Sequence, residues 1–141
     1  MALVHIHNAQ KDLKISKKGV RLLVDAVLKH LGSLHTEVSI YFVTQRKICA
    51  LHDQFFQDPS PTDCISFPID EEHLGEVFVC PKAAIAYDPE DPYAELALYI
   101  IHGLLHCSGY DDLEPKAKRA MRKKEKSCMA VINKQRISLG L

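Results

Sequence analysis

Hydrophobic positions along this chain change period several times, and each change marks an element. Leu3 to His7 alternates at period two and reads as a strand. Ser16 suits a helix cap, and after it apolar residues recur at three and four: Val20, Leu23, Val24, Val27, Leu28 and Leu31. Gly32 stops that helix, with Lys29 and His30 favourably placed in its last turn. Alternation returns over Glu37 to Val43, where Val38, Ile40 and Phe42 share a face, and Thr44 opens a helix through Ile48, Leu51 and Phe55. Asp58-Pro59-Ser60-Pro61-Thr62-Asp63 cannot be helical and is read as a loop. Cys64 to Phe67 is a short strand ended by Pro68, which suits a sheet edge, and Asp70-Glu71-Glu72 is a solvated turn. Leu74 to Cys80 is a fourth strand, and Pro81 opens a short helix through Tyr87. Asp91-Pro92 starts a nearly all-apolar helix from about Tyr93 to Cys107, followed by Gly109 as its stop. The tail carries Ala117, Ala120, Met121, Cys128, Val131 and Ile132 at helical spacing, so its charges are expected to face outward. The pattern predicts an α+β fold, a single small domain over residues 1–141 with a mixed sheet of about four strands packed by helices.

Composition narrows the class. With 141 residues and 47% hydrophobic content, the chain can bury a real core. No basic start followed by an apolar run suggests a secretory signal, and the longest apolar stretch, Leu96 to Ile101, is too short for a bilayer. The cysteines at 49, 64, 80, 107 and 128 are odd in number and form no CxxC pair, so reduced thiols acting as small buried hydrophobes are expected. A soluble, cytoplasmic protein with no membrane partner follows. The formal charge of zero conceals a pattern: residues 1–47 carry eight Lys/Arg against three Asp/Glu, residues 48–113 one against thirteen, and residues 114–141 nine against two. Solvated helix faces alone produce such a distribution; the functional reading is a cation-friendly centre between surfaces able to hold an anionic polymer.

The candidate chemistry sits at the end of the apolar helix. His102 and His106 in His102-Gly103-Leu104-Leu105-His106 lie one turn apart on one face, about 5–6 Å between Cβ atoms. Gly109 can turn the chain back, so that Asp112 completes His-x3-His-x5-Asp. Two nitrogens, one carboxylate and a water make a catalytic zinc site with an open position. Polar side chains on an apolar helix must be bonded or ligating to be buried cheaply, which favours a metal site over an incidental pair. His102, His106, Gly109 and Asp112 also match the spacing of HExxHxxGxxH zinc peptidases, but Gly103 stands where those enzymes carry their glutamate base.

Three blocks resemble the YbeY family of ribosome-maturation endoribonucleases: Pro61-Thr62-Asp63-Cys64-Ile65-Ser66-Phe67-Pro68, Leu74-Gly75-Glu76-Val77-Phe78-Val79-Cys80, and His102 through Asp111. The resemblance implies a small α+β domain, one zinc ion per chain and cleavage of single-stranded RNA. It also implies a role in maturing the 3′ end of 16S rRNA and in quality control of the small ribosomal subunit. Asp112 stands where the family usually has a third histidine, which keeps a ligand but hardens the site. Phe56 stands where the family commonly has an arginine thought to handle RNA phosphate.

Several residues admit two readings. Asp63 is an Asx-type turn residue or a carboxylate orienting a ligating histidine, and Ser66 is core or cleft lining. Glu95 reads as a surface carboxylate, and Asp111 as a base near the metal or a solvated acid. His5, His7, His30, His35, His52 and His73 stand singly and read as surface or capping residues. Cleavage would run through a water activated by the metal held by His102, His106 and Asp112, or through a 2′-hydroxyl aided by that metal. Phosphate contacts are expected from Lys116, Lys118, Arg119, Arg122, Lys123, Lys124 and Lys126, or else from Lys14, Lys17, Lys18 and Arg21. A zinc peptidase-like hydrolase and a non-catalytic ribosome-assembly factor with a structural metal, closed by Cys107 or Asp111, remain as alternatives.

Overall fold

A computed structural model describes residues 2–33, 36–70 and 72–141; the expectations for His35 and Glu71 lie outside the described residues. The elements run β1 (Leu3–Asn8), α1 (Lys17–His30), β2 (Glu37–Phe42), α2 (Gln45–Phe56), β3 (Cys64–Pro68), β4 (His73–Val79), α3 (Pro81–Tyr87), α4 (Pro92–Cys107) and α5 (Pro115–Lys134). Their order and type agree with the periodicity. Ser16 caps α1 by accepting from Gly19 N–H, Thr44 caps α2 through Lys47 N–H, and Asp91 caps α4 through Ala94 N–H.

One four-stranded sheet has the order β1-β2-β4-β3. β1, β2 and β4 are parallel, because α1 and then the α2–β3 segment supply the crossovers that parallel neighbours need. β3 returns antiparallel along β4 and ends at Pro68, so the missing N–H falls at an outer edge. The turn between them is held by Asp70 Oδ1, which accepts from Glu72 N–H and His73 N–H.

The pleat sorts the side chains. Val4, Val38, Ile40, Phe42, Val77 and Val79 face the main core shared with α1, α4 and α5. Ile65 faces the other way and packs with Ile48 and Leu51 of α2, beside the half-buried Tyr41, Phe67 and Phe78. Cys64 and Ser66, on the opposite pleat from Ile65, are turned toward α4. There α4 lies so close to the sheet that a Cβ on Gly103 would come within 2.4 Å of Val77 Cγ1 and 3.1 Å of Cys64 Sγ. Only glycine fits this contact.

Two expectations change. The charges of α5 do not all face outward: Glu125 lies in the buried stripe with Met121, Cys128 and Ile132 and is 4% exposed. Cys80 and Cys128 are buried as expected, whereas Cys49, Cys64 and Cys107 are half-buried; all five are free thiols.

Candidate metal centre

α4 carries both histidines on the flank that meets α5 and β3. The His102 and His106 rings meet edge to face, with centroids 4.5 Å apart and an interplanar angle of 81°. Their Nε2 atoms are 3.0 Å apart. α4 ends in a tight reversal: Ser108 N–H donates to Leu104 and Leu105, Gly109 N–H to His106, and Tyr110 N–H back to Leu105. Gly109 takes φ +100°, a conformation that L side chains rarely adopt, and this lets the chain double back. Asp112 thereby returns to the histidines. One ligating atom from each of His102, His106 and Asp112 lies within 4.8 Å of the others, the one such grouping among the described residues. Asp111 instead accepts from Leu113 N–H within the turn.

Donor chemistry suits a divalent cation. His102 Nδ1–H donates to Glu125 Oε2 at 2.6 Å, which selects the tautomer whose Nε2 carries a free lone pair. That lone pair faces His106 Nε2, and both nitrogens lie within reach of one ion. Burial, and then the His102 ring, hold His106 below its ordinary value of 6.5, against the upward pull of Asp112 and of a backbone hydrogen bond with Tyr110. Neutral imidazole is the ligating form. Thiols are poorer candidates here. Burial, with Asp63 and Cys107 adding to it, pushes Cys64 up, and burial pushes Cys107 up to about 12, so neither readily offers a thiolate.

Two cavities meet at His102. The first, about 410 Å³, is lined by Asp63, Glu95, Asp112, Glu125 and Arg122 among others. Glu95 is therefore not a plain surface carboxylate: burial, then Asp63 and Asp88, push its pKa upward. The Asp63 side chain reaches the same cavity, while Asp58 makes an Asx-type bond in that loop by accepting from Ser60 N–H. The second cavity, about 290 Å³, has Phe56, His52, Thr62 and Ser66 on its wall with His102 and His106. Ser66 is thus cleft lining. Phe56 presents an apolar ring beside the histidines.

Residues 5–133 match the family model described as Endoribonuclease YbeY. The chain belongs to the YbeY family. A Protochlamydia amoebophila relative named Endoribonuclease YbeY is 46% identical, covering 81% of this chain and 82% of its own. The Chlamydia pneumoniae relative of that name is 37% identical, covering 94% and 92%. A solution structure of a Thermotoga maritima protein matches with TM-score 0.65 and 27% identity, over 95% of this chain and 92% of that one.

One neighbour of the site in this YbeY-family chain, Glu125, escaped the sequence reading, and Arg122, expected only as a phosphate contact, is bonded to it. Glu125 sits behind His102, and Arg122 donates to Glu125 Oε1 at 3.2 Å. A signal for Glu125 existed, since position 125 falls on the 121–128–132 apolar stripe of α5 and a lone acid there needs partners. Which histidine it would meet depends on how α5 packs on α4.

Proposed function

We propose that this chain is a zinc-dependent endoribonuclease that cuts single-stranded RNA in 3′-end maturation of 16S rRNA, and that it serves quality control of the small ribosomal subunit in the cytoplasm. Membership of a family named for endoribonuclease activity supports the nuclease part. The observation that carries the metal part is the convergence of His102, His106 and Asp112 at the rim of an open acidic cavity. Among the described residues no helix is long and apolar enough to cross a membrane.

Residues 1–141 act here as one unit. His102 and His106 would hold the cation from a rigid helix, and Asp112 from the turn that follows it. A zinc ion so held supplies Lewis-acid polarisation of a phosphodiester and an acidified water. Glu125 keeps His102 in its ligating tautomer and fixes the ring. Glu95 lines the same cavity, and burial, then Asp63 and Asp88, push its pKa upward, the direction that suits a group exchanging a proton.

A glutamate reaching the metal from elsewhere would favour the peptidase alternative, and Glu95 and Glu125 do line the cavity. Glu125, however, is committed to His102 and Arg122, and Gly103 packs against Val77 with no room for the glutamate those enzymes carry there. The family favours the nuclease reading. A purely structural metal is disfavoured because the site opens on a cavity and recruits neither Cys107 nor Asp111. The test is metal analysis paired with single-stranded RNA cleavage by wild-type and His106→Ala protein. Zinc near one per chain with cleavage, both lost in the variant, supports the reading. Folded wild-type protein that takes up no zinc on titration, or zinc-loaded protein that leaves RNA uncut, overturns it.

A further inference from the structure

Four carboxylates on the first cavity, Asp63, Glu95, Asp112 and Glu125, would repel a phosphodiester approaching His102. Arg122 is the one Lys or Arg side chain among that cavity's described lining. The second cavity, past Phe56, has no Lys or Arg among its described lining. Beyond a bound metal, side-chain cationic help for a phosphate at the histidines, as far as the described lining of these cavities goes, comes from the α5 side.

Arg122 is also built into place. Its side chain is 59% exposed, yet Nη1 is tied to Glu125, whose side chain is 5% exposed and bonded in turn to His102. The guanidinium has five N–H donors in a planar fork, so one bond to Glu125 leaves others free for phosphate oxygens. A charge held by a buried partner loses less rotamer freedom on binding than a free surface arginine.

Arg122 belongs to a second surface too. A shallow groove along α5 is lined by Lys118, Arg119, Arg122, Lys123 and Lys126 behind Pro115. From 118 to 126 these cations follow one helix face for about 12 Å at 1.5 Å per residue. Arg122 is shared by the groove and the metal cavity, so the basic track opens directly on His102 and Asp112.

We infer that Arg122 is the phosphate-binding residue of this site and that the α5 groove holds the flanking nucleotides of a single RNA strand. This rests on the nuclease reading above and adds the direction from which the strand arrives. A regularly charged strand matches a track of regularly spaced cations, and its salt dependence gives a readout that zinc chemistry does not affect.

The experiment uses the metal-stripped 141-residue chain and a labelled single-stranded oligoribonucleotide, titrated between about 50 and 200 mM salt. Cleavage by zinc-loaded protein is measured separately, with KM and kcat resolved. Arg122→Gln, whose amide can still donate to Glu125, is expected to bind about tenfold more weakly and to flatten the log–log salt slope by about 0.7, while staying folded and keeping about one zinc per chain. Its cleavage defect should fall mainly on KM, and Arg122→Lys should restore much of the affinity. Replacing Lys118, Arg119, Lys123 and Lys126 together by Gln should flatten the slope by about 0.7 for each phosphate no longer neutralised. Wild-type affinity and slope in Arg122→Gln overturn the inference, as does equally tight binding of poly-aspartate at matched charge. Active enzyme with an unaffected Arg122→Gln variant sinks this inference alone. Slope changes as expected with no RNA cut by the zinc-loaded wild type sink the nuclease reading and support the phosphate-binding role of Arg122.

Discussion

Two histidine–carboxylate clusters built from the same residue types lie on different faces of the sheet. On the α4–α5 side, Glu125 is buried and receives His102 Nδ1–H and Arg122. On the open side, Glu37 receives both His5 and His73, and His73 also lies 3.6 Å from Asp70. Here all the partners stand in solvent, with side chains 33% to 59% exposed. Exposed pairs are screened and lose rotamer entropy on forming, whereas a buried carboxylate with two donors fixes what it touches. Among the described residues, only the α4–α5 cluster adjoins side chains that could hold a metal ion. Its histidine is held in one tautomer with its second nitrogen aimed at a neighbour, while the open cluster uses both histidines on a single carboxylate.

The largest expected difference is in metal content. His102→Ala or His106→Ala should remove most of the zinc, about one per chain in the wild type, whereas His5→Ala or His73→Ala should leave it unchanged. Asp112→Ala should weaken binding without abolishing it, because that ligand hangs on an exposed turn. Metal analysis after gel filtration compares all five variants. Equal zinc in His5→Ala and His106→Ala would erase the distinction.

Next in size is the loss of each central carboxylate. Glu125→Ala should lower zinc affinity by about 10- to 100-fold, since His102 loses the partner that orients it. It should also cost about 1.5–3 kcal/mol of stability, as a buried network loses its acceptor. Urea unfolding of the metal-free protein, beside a zinc titration, reads both. Glu37→Ala should leave zinc affinity near wild type and lower the unfolding midpoint far less than Glu125→Ala, because its partners are exposed.

A smaller effect separates the clusters by pH. Burial depresses His106, so between its folded value and 6.5 the unfolded chain binds more protons than the native one. Stability of the metal-free protein is then full above 6.5 and declines as pH falls through the folded value. Glu37 is depressed mainly by its hydrogen bond with His5, so its contribution is full above 4.5 and declines below that. His106→Gln should remove the upper of these two windows and Glu37→Gln the lower. Urea midpoints from pH 7 down to about 3 test this, and identical profiles for both variants would contradict it.

Much of the fold was legible because its signals are local. The period-two runs around Val38–Phe42 and Leu74–Val79, the caps at Ser16, Thr44 and Asp91, and the apolar helix ending at Gly109 each announce an element within a few residues. His102, His106 and Asp112 were legible for the same reason: one helical turn and one glycine reversal bring them together. Glu95 and Ser66 were not, because their exposure depends on which cavity the packing leaves open.

By itself, then, the sequence determined the elements, their faces and a trio that could hold a metal ion, since those follow from spacing along the backbone. The sheet order β1-β2-β4-β3, the Val77 contact that admits only glycine at 103, and the Arg122–Glu125–His102 chain were decided by tertiary packing. Each of these joins residues distant in sequence or on different elements. Their energies come from burial and desolvation, which exist only once the α4–α5 and α4–sheet interfaces have closed.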